Sequence, residues 1–220
     1  MNPGLPWLCF VTDRNRCEGR SLIDVVDQAV SGGVNLVQLR ERDLATSLLY
    51  HLGVELRKIT EGRALLLVND RVDVAIACGA DGVQLGEEGL PTEVARDLSK
   101  GELLLSRSVH SLESAEKARD EGVDLVVLGT IFPSGSHPDG ETGGLERVKE
   151  VTAKIDVPVL AIGGITAENV GSVMEAGASG AAFITAITQS PNPENSARAL
   201  SAKMRQAWAS VTSSEVARRE

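Results

Sequence analysis

Five short stretches of this chain carry residues able to hold phosphate groups or move protons. Arg40 and Arg42 flank Glu41 directly after the apolar run Leu36–Leu39. If the extended chain continues that far, alternation puts both guanidinium groups on one side. Two such donor forks suit a diphosphate; the competing reading is a surface charge cluster. Asn69-Asp70 closes the next apolar run. A carboxylate there suits Mg²⁺ or a polar heterocycle, and either residue also suits the cap of a following helix. Gly163-Gly164 ends a later run, and Thr185-Ala186 ends the last one. Paired glycines let backbone N–H groups approach a phosphate, helped by the positive end of a helix starting just after them; the alternative is an ordinary tight turn. His137 sits in the glycine-, proline- and serine-containing stretch 133–144, which reads as a lid over the site. Its imidazole titrates near neutral pH and is the candidate base, although an exposed loop histidine without a role fits as well. His110, at the start of a helical segment, reads as structural.

These residues need a scaffold that brings them to one place. The chain repeats one pattern: a polar segment of helical period, a glycine, then a short apolar run, as in Gly32-Gly33 before Leu36–Leu39 and Gly122 before Leu125–Leu128. Glycine suits the left-handed end of a helix, and a β-branched run with little alternation suits a strand covered on both faces. The runs are Leu8–Thr12, Leu36–Leu39, Ala64–Val68, Gly82–Leu85, Leu103–Leu105, Leu125–Leu128, Val159–Ile162 and Ala181–Ile184. Helical stripes lie between them, such as Ile23, Val26, Ala29 and Val30, with Ser111 as the expected cap of another. This alternation predicts a single-domain (β/α)₈ TIM barrel over residues 1–210, with 211–220 a frayed tail. An open doubly wound sheet is the second choice, weakened by the lack of GxGxxG after the first strand. In a barrel, the C-terminal ends of the strands and their loops share one rim, so Gln38, Arg40, Asn69, Ser108 and Gly163 converge there.

Composition narrows the partners. The chain has 220 residues, 42% hydrophobic, and a formal net charge of -9. That charge argues against nucleic acid and anionic membranes but leaves room for a small phosphorylated ligand. No apolar stretch reaches the roughly 18–20 residues needed to cross a bilayer. No basic, then apolar, leader is visible. Cys9, Cys17 and Cys78 are scattered and read as reduced thiols of a cytoplasmic protein.

Several motifs, in order, resemble one known superfamily over about residues 7–210. They are Val11-Thr12-Asp13, Val37-Gln38-Leu39-Arg40-Glu41, Val68-Asn69-Asp70-Arg71, Gly82-Val83-Gln84-Leu85-Gly86, Ser106-Arg107-Ser108-Val109-His110-Ser111, Gly129-Thr130-Ile131-Phe132-Pro133-Ser134 and Ala161-Ile162-Gly163-Gly164-Ile165. The chain is similar to the thiamine phosphate synthase and thiazole tautomerase superfamily. The resemblance implies a small phosphorylated heterocyclic substrate and a homodimer. A synthase joins a hydroxymethylpyrimidine diphosphate to a carboxythiazole phosphate, releasing diphosphate and carbon dioxide with Mg²⁺; a tautomerase moves a proton on the thiazole phosphate and needs no cofactor. The implied substrate and phosphate contacts are Gln38, Arg40, Asn69, Ser108, Ser134, Ser136, Gly163, Gly164, Thr185 and Ala186. Asp70 is the implied Mg²⁺ ligand of a synthase.

Departures from the synthase pattern tip the expectation. Arg42 stands for a lysine, Gly89 for the second Mg²⁺ carboxylate (with Glu88 the nearest substitute), and His137 for a lid lysine. The run Ser106–Ser111 is closer to the tautomerase pattern, although Thr130 replaces the histidine of one tautomerase lineage. The expectation is therefore a tautomerase-like enzyme with His137, Asp70 and Arg42 catalytic. The alternatives are the synthase, and a non-catalytic paralogue that binds thiazole phosphate.

Overall fold

The structure is a computed structural model that describes residues 6–133 and 142–219. Strands β1 (Trp7–Val11), β2 (Leu36–Leu39), β3 (Leu65–Asn69), β4 (Gly82–Leu85), β5 (Leu104–Val109), β6 (Leu125–Leu128), β7 (Val159–Ile162) and β8 (Gly180–Phe183) pair in parallel and in chain order. Pairing of β1 with β8, Phe10 opposite Phe183, closes the barrel. The expected (β/α)₈ TIM barrel is the fold.

Alternation along each strand makes two cores. Trp7, Cys9, Val11, Leu36, Leu65, Leu67, Leu125, Val127, Leu160 and Ala182 fill the barrel interior. The residues between them, such as Leu8, Phe10, Val37, Leu66 and Val126, pack outward against the helices. Full burial of each large side chain contributes roughly 1.5–3 kcal/mol.

The helices are α1 (Leu22–Ser31), α2 (Thr46–Thr60), α3 (Val72–Cys78), α4 (Thr92–Leu98), α5 (Leu112–Asp120), α6 (Gly144–Thr152), α7 (Val170–Glu175), α8 (Thr185–Thr188) and α9 (Pro193–Arg219). Ser111 caps α5 as expected: its Oγ accepts from Ser114 N at 3.1 Å, and Ser114 Oγ accepts from Ser111 N at 3.1 Å. In α1 the stripe is shifted: Leu22 and Val25 are buried with Val26, Ala29 and Val30, whereas Ile23 faces solvent. Helix α9 continues across 211–219, where the sequence suggested fraying. Cys9, Cys17 and Cys78 are buried free thiols. Burial pushes the Cys9 thiol up to about 12, so it stays protonated. Among the described residues no helix is long and apolar enough to cross a membrane.

Candidate active site

A cavity of about 570 Å³ opens at the C-terminal ends of the strands, within the size range of small-molecule sites. Its apolar lining comes from Val11, Val127, Ile162 and Ala182, at the top of the barrel interior. Polar groups from β2–β5 form one wall, and backbone from β7 and β8 forms the other.

Arg40 and Arg42 both line the cavity, although β2 ends before them at Leu39. What holds this turn is Glu41. Its carboxylate is buried and accepts from Arg14 N at 3.1 Å and Arg14 Nη1 at 3.0 Å, while Arg14 also grips Asp43 at 2.5 and 2.6 Å. Neither Arg40 nor Arg42 donates a side-chain hydrogen bond or joins an ion pair among the described residues. Burial, then the neighbouring Arg42, pulls the Arg40 guanidinium below its usual range. An arginine that is half-buried, uncommitted among the described residues and beside a second cation suits an anion.

Asn69 and Asp70 belong to a hydrogen-bonded chain across three strands. Gln38 Nε2 donates to Asn69 Oδ1 at 2.8 Å, and Asn69 Nδ2 donates to Asp70 Oδ2 at 2.7 Å. Gly86 N donates to Asp70 Oδ1 at 2.7 Å. Asp70 is exposed at the rim beside Asn69 and Gly86, which line the cavity. Its φ of 58° is uncommon for a non-glycine residue, and such strain clusters at functional sites. The helix-cap reading fails here, because α3 starts after Arg71 with no side-chain cap. A second chain joins β4 to β5: Ser106 Oγ donates to Gln84 Oε1, and Gln84 Nε2 donates to Ser108 Oγ at 3.0 Å. Gln38 and Ser108, both expected contacts, face the cavity; Gln84 does too and was not expected.

On the opposite wall, Gly163, Gly164, Thr185 and Ala186 come together as the sequence suggested. Among the described residues their backbone N–H groups donate no hydrogen bond, which leaves them for an anion. Two details differ. The glycines have φ of 104° and 60°, and a Cβ would meet Thr130 Cγ2 at 2.5 Å or the Pro133 carbonyl oxygen at 2.5 Å. Their small size therefore admits the segment after β6 as well as a ligand. Helix α7 begins only at Val170, and Thr166 N is taken by Asn169 Oδ1 at 2.8 Å. The expected helix terminus directly behind Gly164 is thus replaced by a capped turn.

His137, Ser134 and Ser136 lie outside the described residues. Residues after β6 do reach the cavity through Thr130 and Pro133. Sequence reasoning missed a pair at the rim. His110, read as structural, lines the cavity, and its Nδ1 lies 2.6 Å from Glu87 Oε2. No local pattern marks this pair, because its members sit on different strand ends.

A divalent cation requires hard oxygen ligands. Among the described residues no group of three or more His, Cys, Asp or Glu side chains is placed to hold a metal. Glu88, the substitute suggested by the sequence, is exposed and off the cavity wall. Gly89 does face the carboxylate, a Cβ there standing 3.1 Å from Asp70 Oδ1. Each Asp70 oxygen accepts one donor and keeps further lone pairs. This donor set fits a cation that takes one protein carboxylate and its remaining ligands from substrate phosphates and water.

Known proteins place this geometry. The family model described as thiamine monophosphate synthase matches residues 8–187. A putative thiamine-phosphate synthase from Geobacter sulfurreducens is 44% identical, over 88% of this chain and 92% of that protein. The thiamine-phosphate synthase of Roseiflexus castenholzii is 42% identical, over 86% of this chain and 84% of its own. Among solved structures, a thiamine phosphate pyrophosphorylase from Pyrococcus furiosus superposes with TM-score 0.85 at 34% identity, covering 92% of this chain and 96% of that one. A 3-hexulose-6-phosphate synthase, at TM-score 0.72 and 16% identity, shares the fold alone. These likenesses overturn the tautomerase-like expectation, which weighted a few positions above the whole chain: the close relatives carry the synthase name. The chain is an enzyme and belongs to the thiamine monophosphate synthase family.

Proposed function

We propose that this enzyme is a thiamine-phosphate synthase, joining a hydroxymethylpyrimidine diphosphate to a carboxythiazole phosphate. One observation carries the reading: a single cavity has two separate walls whose groups suit anions. Arg40 and Arg42 form one. The N–H groups of Gly163, Gly164, Thr185 and Ala186, which have no acceptor among the described residues, form the other. Two walls suit two phosphorylated heterocycles held side by side.

In this reading the arginines grip the diphosphate and stabilise the charge it gains as it leaves. The backbone wall holds the thiazole phosphate and fixes its ring over the apolar floor, a few ångströms from the methylene carbon. The thiazole nitrogen lone pair forms the new C–N bond and the methylene C–O bond breaks with its electrons going to diphosphate; the carboxylate leaves as carbon dioxide, and the electron pair it leaves on the ring carbon takes a proton from solvent. Gln38, Asn69, Gln84 and Ser108 present amides and a hydroxyl to the polar edges of the rings. Asp70 would hold Mg²⁺ together with the diphosphate, and the cation would supply neutralising charge to the leaving group.

The test supplies both substrates with and without Mg²⁺. Diphosphate release is expected only when both substrates and Mg²⁺ are present. Arg40→Met should lower kcat/KM for the pyrimidine diphosphate by about 10–100-fold, the usual worth of hydrogen bonds to a charged group. No diphosphate release from the complete mixture overturns the reading.

A further inference from the structure

Arginine is seldom buried without a partner, yet Arg107, inside β5, is only 7% exposed. Its hydrogen bonds all go to one segment. Nη1 donates to the carbonyls of Gly86 at 3.0 Å and Glu87 at 3.2 Å. Nη2 donates to the Leu90 carbonyl at 2.6 Å and to Thr92 Oγ1 at 3.2 Å. That segment, 86–92, folds back on itself, Gly89 N donating to Gly86 O at 2.9 Å. It is also the segment whose Gly86 N–H holds Asp70 Oδ1 at 2.7 Å. Gly89 packs tightly over the same oxygen: a Cβ would stand 3.0 Å from Gly86 N and 3.1 Å from Asp70 Oδ1, so the turn or the carboxylate would have to shift by a few tenths of an ångström to admit one.

Arg107 has a carboxylate nearby, Glu121, but it is not what orients the guanidinium. Arg107 Nε is 3.9 Å from Glu121 Oε2 and is the one buried side-chain polar atom without a hydrogen bond among the described residues. The fork is turned toward the carbonyls of the turn, at the expense of a bond from Nε. A group whose four hydrogen bonds converge on one turn fixes that turn.

We propose that Arg107 is a positioning residue: it clamps the 86–92 turn against Asp70 and so sets the orientation in which that carboxylate meets a divalent cation carrying diphosphate. This rests on the synthase reading. Groups that orient a metal-binding side chain from behind typically change metal affinity by about 10–100-fold when removed.

The experiment uses the full chain with Arg107→Lys, Arg107→Met, Gly89→Ala and, as reference, Asp70→Asn. Binding of Mn²⁺ with inorganic diphosphate is measured by calorimetry, amide exchange is followed across 86–90, and KM is measured for each substrate. Arg107→Met should weaken Mn²⁺–diphosphate binding about 10–100-fold and speed exchange at 86–90, with KM for the thiazole phosphate unchanged. Arg107→Lys, a point charge without the fork, should fall between it and the parent. Gly89→Ala should act in the same direction by pushing the turn off Asp70, and it decides the matter if Arg107→Met does not fold. Parental affinity in Gly89→Ala and in the folded Arg107 variants overturns the clamp. So does a parallel rise in KM for both substrates. A parent that binds Mn²⁺–diphosphate but makes no product overturns the synthase reading while the clamp is still judged by binding. A parent that binds no Mn²⁺–diphosphate overturns both.

Discussion

The two walls of the cavity solve the same problem with different materials. On the β2–β4 side the wall is made of side chains: two arginines that would receive an anion, and beside them a carboxylate held by Asn69 and Gly86 that would reach it only through a cation. On the β7–β8 side an anion would meet backbone N–H groups, set by glycines whose φ no other residue adopts without strain. A side-chain wall can be altered residue by residue while the barrel stands. A backbone wall is the barrel, so changes there carry binding and stability together.

Substitutions can break that contrast, and Asp70→Asn tests it hardest. It should cut kcat for diphosphate release by roughly 100–1000-fold, the usual cost of removing a preorganised electrostatic contact. Thermal stability and thiazole phosphate affinity should hold; a large fall in Tm would make Asp70 part of the scaffold. Gly164→Ala comes next. Its Cβ enters backbone at Pro133 and its φ is 60°, so about 1–3 kcal/mol of stability should be lost. Thiazole phosphate affinity should drop with it, and a variant that loses one without the other separates wall from scaffold. Arg42→Lys keeps the charge but loses the fork, and kcat/KM for the pyrimidine diphosphate should fall by less than in Arg40→Met. The smallest effect concerns the pin behind the arginines. Arg14 holds the Asp43 carboxyl down at about 2. A lowered folded value means that the stabilisation is present above the unfolded value, about 3.9, and is lost as pH falls through about 2. The pair is exposed, so acid unfolding of Asp43→Asn should differ little from the parent, with any gap closing between those limits.

The barrel was legible because its signal is local and repeated. Strand boundaries read from apolar runs agree with the structure to within a residue or two, except at β5. There Ser106-Arg107-Ser108 looked like the end of a strand, whereas the strand continues to Val109. Polar residues sit inside it because Gln84 and the 86–92 turn supply their partners. The arginine pair and the glycine pair were legible because residue type and rim position go together in this fold. The Glu87–His110 pair and the Arg107 clamp were not, since each joins groups far apart in the chain. The tautomerase-like expectation failed for a related reason. Gly89 reads as a missing ligand in isolation, but in place it is the opening through which the turn packs on Asp70.

Closure of β8 onto β1 also sets the order in which the enzyme becomes competent. The arginine wall is translated early and the glycine wall late, yet only β1 separates β2 from β8 around the ring. A nascent chain that has made its first half already displays both arginines and has no cavity to place them in. Both walls face one cavity only in the closed ring, so the site depends on the pairing of β8 with β1. Such late, long-range pairing is slow for a folding chain. The cationic wall is complete as a cavity wall only once β8 has closed onto β1.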